Sequence, residues 1–429
     1  MTVMSIPLRT PVAVALIAGG ILIGACTQDT PRILAVPTEL DMGDLISVQI
    51  QGLPRGEQVD LVCELEEGGQ RWRSQATFAV SADGTVDPSR QAPLAGDWEG
   101  VDPLGAFWSM ASTGEVEDQD PPSVDLVLRA VRGKDVLART KVKIWRRRPG
   151  VTEESVTASG MVASFFTPAT NGRSPAVILV GGSGGGIGWQ RGMARSLANH
   201  GYAALALAYF DAGDLPESLD EIPLEYFGRA IEWLRGRPEV DPGRVAVAGI
   251  SKGGELALLL GATFDELRAV VAFVPSSVVW QGIAPGWPLR SSWTFGGEGL
   301  PFVPYDMNLS GSDLLDLYRG SLQDQDAVRA AVLRVERTVG AVLLFSGGED
   351  SIWPSTLMCE QVVGRLKEHG FEHPFEHIAY SQAGHTIASS SFFATSRTIR
   401  NGGSAQSNAY AIHDAWSRTL AFLVEHLRP

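Results

Sequence analysis

A serine between two glycines, in Gly249-Ile250-Ser251-Lys252-Gly253, is the group in this chain best placed to do covalent chemistry. It follows the apolar run Val245-Ala246-Val247-Ala248 and precedes the helical-looking stretch Gly254-Glu255-Leu256-Ala257-Leu258-Leu259-Leu260. Strand, tight turn and helix with G-x-S-x-G at the turn make a nucleophile elbow. The turn is sharp, so a side chain at 249 or 253 would meet neighbouring backbone. It lifts the Ser251 hydroxyl clear of the strand and leaves the Lys252 amide at a helix N-terminus, aimed at any oxyanion that forms.

A serine hydroxyl needs a base at neutral pH, and the base needs an orienting acid. The run 341–345 reads as a strand and leads into Ser346-Gly347-Gly348-Glu349-Asp350. Asp350 is the expected acid, with Glu349 as its competitor. A second strand, 376–380, leads into Ser381-Gln382-Ala383-Gly384-His385, which makes His385 the expected base. Six other histidines read as structural: 200, 369 and 426 at helix ends, 373 before a proline, 377 in the strand and 413 in the last helix. A second oxyanion donor is expected from Gly181-Gly182-Ser183-Gly184-Gly185-Gly186, with Gly182 and Ser183 both open as the amide used. The loop lacks the patterns of a nucleotide-binding loop.

These residues need a scaffold that brings strand ends together. Apolar runs at 176–180, 203–208, 245–248, 270–274 and 341–345 alternate with helical stretches at 191–200, 224–235 and 357–370. Continuous apolar strands separated by helices predict an α/β fold: a mostly parallel sheet with helices on both faces. Elbow, acid and base in this chain order predict the α/β-hydrolase form of it over 159–429. Residues 280–325, with Trp280, Trp287 and Trp293, break the rhythm and read as an insertion over the site. Upstream, 36–147 holds short alternating strands (45–50, 59–65, 76–80, 124–128, 136–142) that predict an all-β sandwich. A linker is expected at 148–158, with Arg146-Arg147-Arg148 as solvated surface beside it.

The 429 residues are 44% hydrophobic, enough for two or three domains, and carry a net charge of −14. No long basic run exists, so nucleic acid is not an expected partner. The uncharged, mostly apolar run 12–25 is too short for a comfortable membrane span and suits a signal peptide. It ends in Ile23-Gly24-Ala25-Cys26, which resembles a bacterial lipobox. That resemblance implies cleavage after 25, a lipid on Cys26, a polar tether over 26–35 and an extracytoplasmic, membrane-anchored protein. Cys63 and Cys359 are expected to be buried free thiols. No metal-binding spacing is present, and no cofactor is expected. Nothing in the sequence sets an oligomeric state.

Residues 201–255, from Gly201-Tyr202-Ala203-Ala204 through Leu224-Glu225-Tyr226-Phe227 and Pro238-Glu239-Val240 to the elbow, resemble the acyl-CoA thioesterase and bile acid-CoA:amino acid N-acyltransferase family. Trp72-Arg73-Ser74 and the run 101–110 resemble its N-terminal immunoglobulin-like module. Val335-Glu336-Arg337, Trp353, Gly384-His385 and 402–416 continue the likeness, which covers roughly 36–429. Carried over by position, the family's triad falls on Ser251, Asp350 and His385. Its amino-acid-conjugating members use cysteine as nucleophile, whereas this chain has serine. The resemblance therefore implies hydrolysis of an acyl thioester, acyl-CoA first. A carboxylic ester hydrolase, an acyltransferase to an amine or alcohol, and an inactive surface binding module are the other readings. A coenzyme A phosphate wants positive charge, for which Lys252, Arg191 and Arg195 are the local candidates, each otherwise an ordinary surface residue.

Overall fold

The computed structural model describes residues 30–117, 119–309, 313–389 and 401–427. The expected signal peptide and Cys26 lie outside them.

The first part of the chain forms a two-layer all-β module. Arg32–Val36 and Ser47–Gln51 pair antiparallel as one small layer. The other layer runs Glu39–Leu40, Asp135–Trp145, Ser123–Arg132, Gln58–Glu67, Gln70–Ala79, Ala95–Gly96, with Ala111–Glu115 also paired to Gln70–Ala79. Inward residues alternate along each strand, and Ile33, Val48 and Ile50 of the small layer meet Leu61, Phe78, Leu126 and Val142 of the large one. The sandwich predicted from strand spacing is present, with two strands facing seven among the described residues. One boundary moves: Arg32–Val36 is sheet, so the segment expected to tether the module through 35 already belongs to it at 32.

The catalytic part is built, among the described residues, on eight strands: β1 (Thr152–Val156), β2 (Val162–Thr167), β3 (Ser174–Val180), β4 (Ala203–Ala208), β5 (Val240–Ile250), β6 (Leu267–Phe273), β7 (Ala341–Gly347) and β8 (Phe375–Tyr380). Their order in the sheet is 1-2-4-3-5-6-7-8. All neighbours are parallel except at β2, which runs antiparallel to β1 and β4. This is the α/β-hydrolase sheet that the apolar rhythm predicts. β1 corrects the expected linker: Thr152–Val156 is an edge strand of the catalytic sheet. Its Thr-Glu-Glu-Ser composition reads as loop because an edge strand has polar neighbours on its open side.

Among the described residues, seven helices accompany the sheet: α1 (Gly188–Asn199), α2 (Leu224–Arg235), α3 (Lys252–Gly261), α4 (Leu314–Ser321), α5 (Gln325–Ala331), α6 (Ser355–Glu368) and α7 (Ala405–Leu427). Strand residues divide by parity. Ile178, Val180 and Val247 pack with α2, α3 and α6, while Val177, Leu179 and Ala246 pack with α1 and α7. Each such buried valine, leucine or isoleucine side chain contributes about 1.5–3 kcal/mol. Burial on both faces is why these strands are continuously apolar. Cys63 and Cys359 are both buried and free. Burial pushes the Cys63 thiol up to about 12, which keeps it inert.

The Arg146–Arg148 cluster is not simply solvated. Arg146 pairs with Asp120, Arg147 with Glu153 and Arg148 with Asp41. It knits the β module to the start of the catalytic sheet.

Candidate active site

The elbow forms where β5 ends and α3 begins. Ser251 has φ 58° and ψ −121°, a conformation that L-residues rarely adopt and that costs on the order of 1–3 kcal/mol. The strain holds because the surroundings leave no alternative. A Cβ at Gly249 would stand 2.0 Å from the Gly253 carbonyl oxygen, and one at Gly253 would stand 2.3 Å from that of Gly181. The Ser251 amide donates to the Phe273 carbonyl at 2.9 Å, which ties the turn to β6.

The Lys252 amide is the first of α3 and has no main-chain acceptor among the described residues. The 181–186 loop passes beside Ser251: the Cβ position of Gly182 is 3.2 Å from Ser251 Cβ and 3.7 Å from its Oγ. Ser183 follows in the same turn and is exposed. The loop is pinned at both ends. Tyr209 Oη donates to the Gly181 carbonyl at 2.6 Å, and Gln190 Nε2 donates to that of Gly186 at 3.1 Å. Neither residue is marked by any sequence signal as part of the site.

On the far side, Asp350 and His385 meet. His385 Nδ1 lies 2.8 Å from Asp350 Oδ2, and both side chains are buried. Asp350 Oδ1 accepts the amides of Ile352 (2.9 Å) and Trp353 (3.2 Å), so each carboxylate oxygen is committed. A carboxylate can only accept, so in the neutral imidazole Nδ1 carries the proton and Nε2 keeps a free lone pair. The Trp353 ring stands edge-on to His385 at 5.8 Å, and its Nε1 donates to the Val274 carbonyl. Glu349, the competitor, is exposed, and its side chain has no hydrogen-bond partner among the described residues.

Ser251 reaches this pair through β6 and its loop. Ser251 bonds Phe273, the Val274 amide donates to Phe345, and Val274 receives Trp353. No hydrogen bond joins Ser251 Oγ to His385 in this structure. Links of this kind are often long in unliganded enzymes and tighten around substrate.

The three cations expected to offer positive charge do not. The Lys252 ammonium is 1% exposed and bonds both oxygens of Glu255, at 2.7 and 2.8 Å. Glu255 is wholly buried and also accepts from Trp293 Nε1 at 2.8 Å and from the Trp280 amide at 3.3 Å. Burial pulls the lysine down and pushes the glutamate up, and each partner opposes that drift in the other. The pair fastens Trp280 and Trp293, within the segment 280–325, to α3. Its i,i+3 spacing was visible in the sequence; its depth was not, because that depends on Trp293. Arg191 is held by Glu153 and Asp120, and Arg195 by Asp120. Among the described residues, no cluster of three His, Cys, Asp or Glu side chains gathers as a metal site.

Residues 222–429 match the family model described as BAAT / Acyl-CoA thioester hydrolase C terminal, and 44–158 match Acyl-CoA thioester hydrolase/BAAT N-terminal region. Among similar proteins, acyl-coenzyme A thioesterase 6 of Mus musculus is 30% identical over 414 residues, covering 89% of this chain and 93% of its own. Acyl-coenzyme A thioesterase 1 of Homo sapiens is 29% identical over 413 residues, with the same two shares. A solved alpha/beta hydrolase from a deep-sea metagenome library overlaps 66% of this chain and all of its own length, at 17% identity and a TM-score of 0.41.

Proposed function

Because the chain belongs to the acyl-CoA thioester hydrolase/BAAT family, we propose that it hydrolyses acyl thioesters, with acyl-CoA as the first substrate class, through an acyl-enzyme on Ser251. The observation that carries this is the 2.8 Å Asp350–His385 bond at the same end of the sheet as the strained Ser251 turn.

In this reading Ser251 Oγ adds to the acyl carbonyl carbon while its proton passes to His385 Nε2. The oxyanion takes hydrogen bonds from the Lys252 amide and from that of Gly182 or Ser183. The tetrahedral adduct collapses, the sulfur leaves with the proton from His385, and the acyl group stays on Ser251 as an ester. Water then gives its proton to His385, attacks that ester and releases the carboxylic acid, restoring Ser251. A serine ester is less prone than a cysteine thioester to pass its acyl group to an amine, which favours water as the acceptor.

The pairing of Arg191, Arg195 and Lys252 with internal carboxylates favours a second reading, a carboxylic ester hydrolase on the same triad, since it removes the local charges a coenzyme A phosphate would meet. One experiment separates the two. The protein is assayed against acyl-CoAs of graded length, p-nitrophenyl esters and amine acceptors. Release of free coenzyme A, with no acyl-amine formed, is expected. Ester turnover without coenzyme A release would transfer the assignment to the esterase, and an amide product would transfer it to an acyltransferase.

The lipobox Ile23-Gly24-Ala25-Cys26 supports a further proposal, that the mature protein is a lipid-anchored, extracytoplasmic lipoprotein. Expressed in a bacterium it should partition into membranes, and Cys26→Ala should leave it uncleaved or release it. Unchanged processing and membrane association of that variant would reject the anchor.

A further inference from the structure

The separation of acid and base is set by a third segment. Residues 401–403 run between the acid loop and the base loop. The Asn401 carbonyl accepts the His385 amide at 2.9 Å and the Ser351 amide at 3.3 Å. Gly402, at φ +92°, comes so close that a Cβ there would stand 1.9 Å from the Glu349 carbonyl oxygen. Gly403 bridges to Ala383. Asn408, one turn into α7 and fully buried, clamps this junction with its carboxamide. Its Oδ1 accepts the Gly384 amide at 2.8 Å, and its Nδ2 donates to the Gly402 carbonyl at 3.0 Å.

The same turns of α7 are gripped by the β module. Asp102, 2% exposed, receives Gln406 Nε2 at 2.8 Å and Tyr410 Oη at 2.6 Å, besides Leu104 N and Trp108 Nε1 of its own loop. Trp108 packs on Ala409 and Ile412. Gln406 and Tyr410 bracket Asn408 in sequence, so a fixed α7 start fixes the carboxamide that holds Gly384, the residue before the base.

We propose that Asn408 is a positioning residue for His385, and that the N-terminal module keeps it in place through Asp102. The proposal rests on the triad reading above. When the clamp is absent, the imidazole spends less time in the orientation that takes the Ser251 proton. Turnover falls in proportion, while a substrate bound elsewhere in the site is held as before. The expected signature is therefore a loss in kcat without a rise in KM.

The test uses the mature full-length protein, with p-nitrophenyl ester turnover and the rate of Ser251 labelling by a fluorophosphonate, both read well below the melting midpoint of each variant. Asn408→Ala should lower kcat and the labelling rate about tenfold, the scale of one lost buried hydrogen-bond pair, with KM within twofold. Gln406→Ala/Tyr410→Phe, which alters only the half-exposed side of α7, should lower both about threefold. That variant guards against failure of Asn408→Ala to fold. A merely structural role would lower the melting midpoint of both and leave kcat of the folded protein within twofold of wild type, and that result overturns the proposal. If wild type itself is not labelled at Ser251, the triad reading has failed instead.

Discussion

Ser251→Ala is expected to abolish fluorophosphonate labelling and to lower kcat by about 10⁴-fold or more, with the fold intact. The chemistry leaves no substitute. The acyl group must be received by an oxygen at the tip of the elbow, and the Lys252 amide serves only an oxyanion that forms there. The fold should survive because Ser251 Oγ has no hydrogen-bond partner to lose among the described residues, and the turn is held instead by the Ser251 amide on Phe273 and the glycine approaches. Alanine keeps the same Cβ in the same strained backbone. His385→Ala should cost about as much, and the double variant little more than either single one, because nucleophile and base act as a unit. Turnover of Ser251→Ala near the wild-type rate would end the hydrolase assignment.

The second large effect separates two adjacent acids. Asp350→Asn should lower kcat by about 10⁴-fold, and Glu349→Gln should leave it within twofold. The structure determines how the asparagine would sit. Asp350 Oδ1 accepts two main-chain amides, so the single oxygen of asparagine stays with them and its NH₂ group faces His385 Nδ1. Two donors then meet, unless the imidazole gives up its Nδ1 proton and moves it to Nε2. That tautomer donates towards Ser251 and cannot act as its base. Glu349 is exposed and does not touch His385, so neutralising it leaves the tautomer unchanged. Steady-state kinetics on the two variants side by side is sufficient, and a crippled Glu349→Gln would reassign the acid.

The catalytic sheet is legible in the chain wherever a strand is buried on both faces. Ala203–Ala208 and the helix Leu224–Arg235 fall where the apolar pattern places them. Thr152–Val156 does not, because one polar edge strand carries no such pattern. At the site, local chemistry was readable: a serine between glycines, an acid and a histidine each closing a strand. What local reading misses are the residues whose role depends on distant partners. Lys252 looks like a surface cation until Glu255 and Trp293 enclose it. Asn408 looks like an ordinary helix residue until Gly384 and Gly402 are seen on either side of its carboxamide. Tyr209 and Gln190, which pin the 181–186 loop, belong to the same class.

The hold of Asp102 on the last helix has a consequence for biosynthesis. Its two partners there lie 304 and 308 positions further along the chain. At about 5–20 residues per second, synthesis takes roughly 15–60 s to cover that interval. Late in it the nascent protein has its β module and its serine turn, but residues 401–403 and Asn408, which bridge the loops of Asp350 and His385, have not been made. A chain that terminates between residues 385 and 401 carries Ser251, Asp350 and His385 but lacks the segment that bridges the loops of Asp350 and His385. If the proposal above holds, such truncated chains should turn over acyl substrates poorly, because the base is not seated until residues 401–410 have been made.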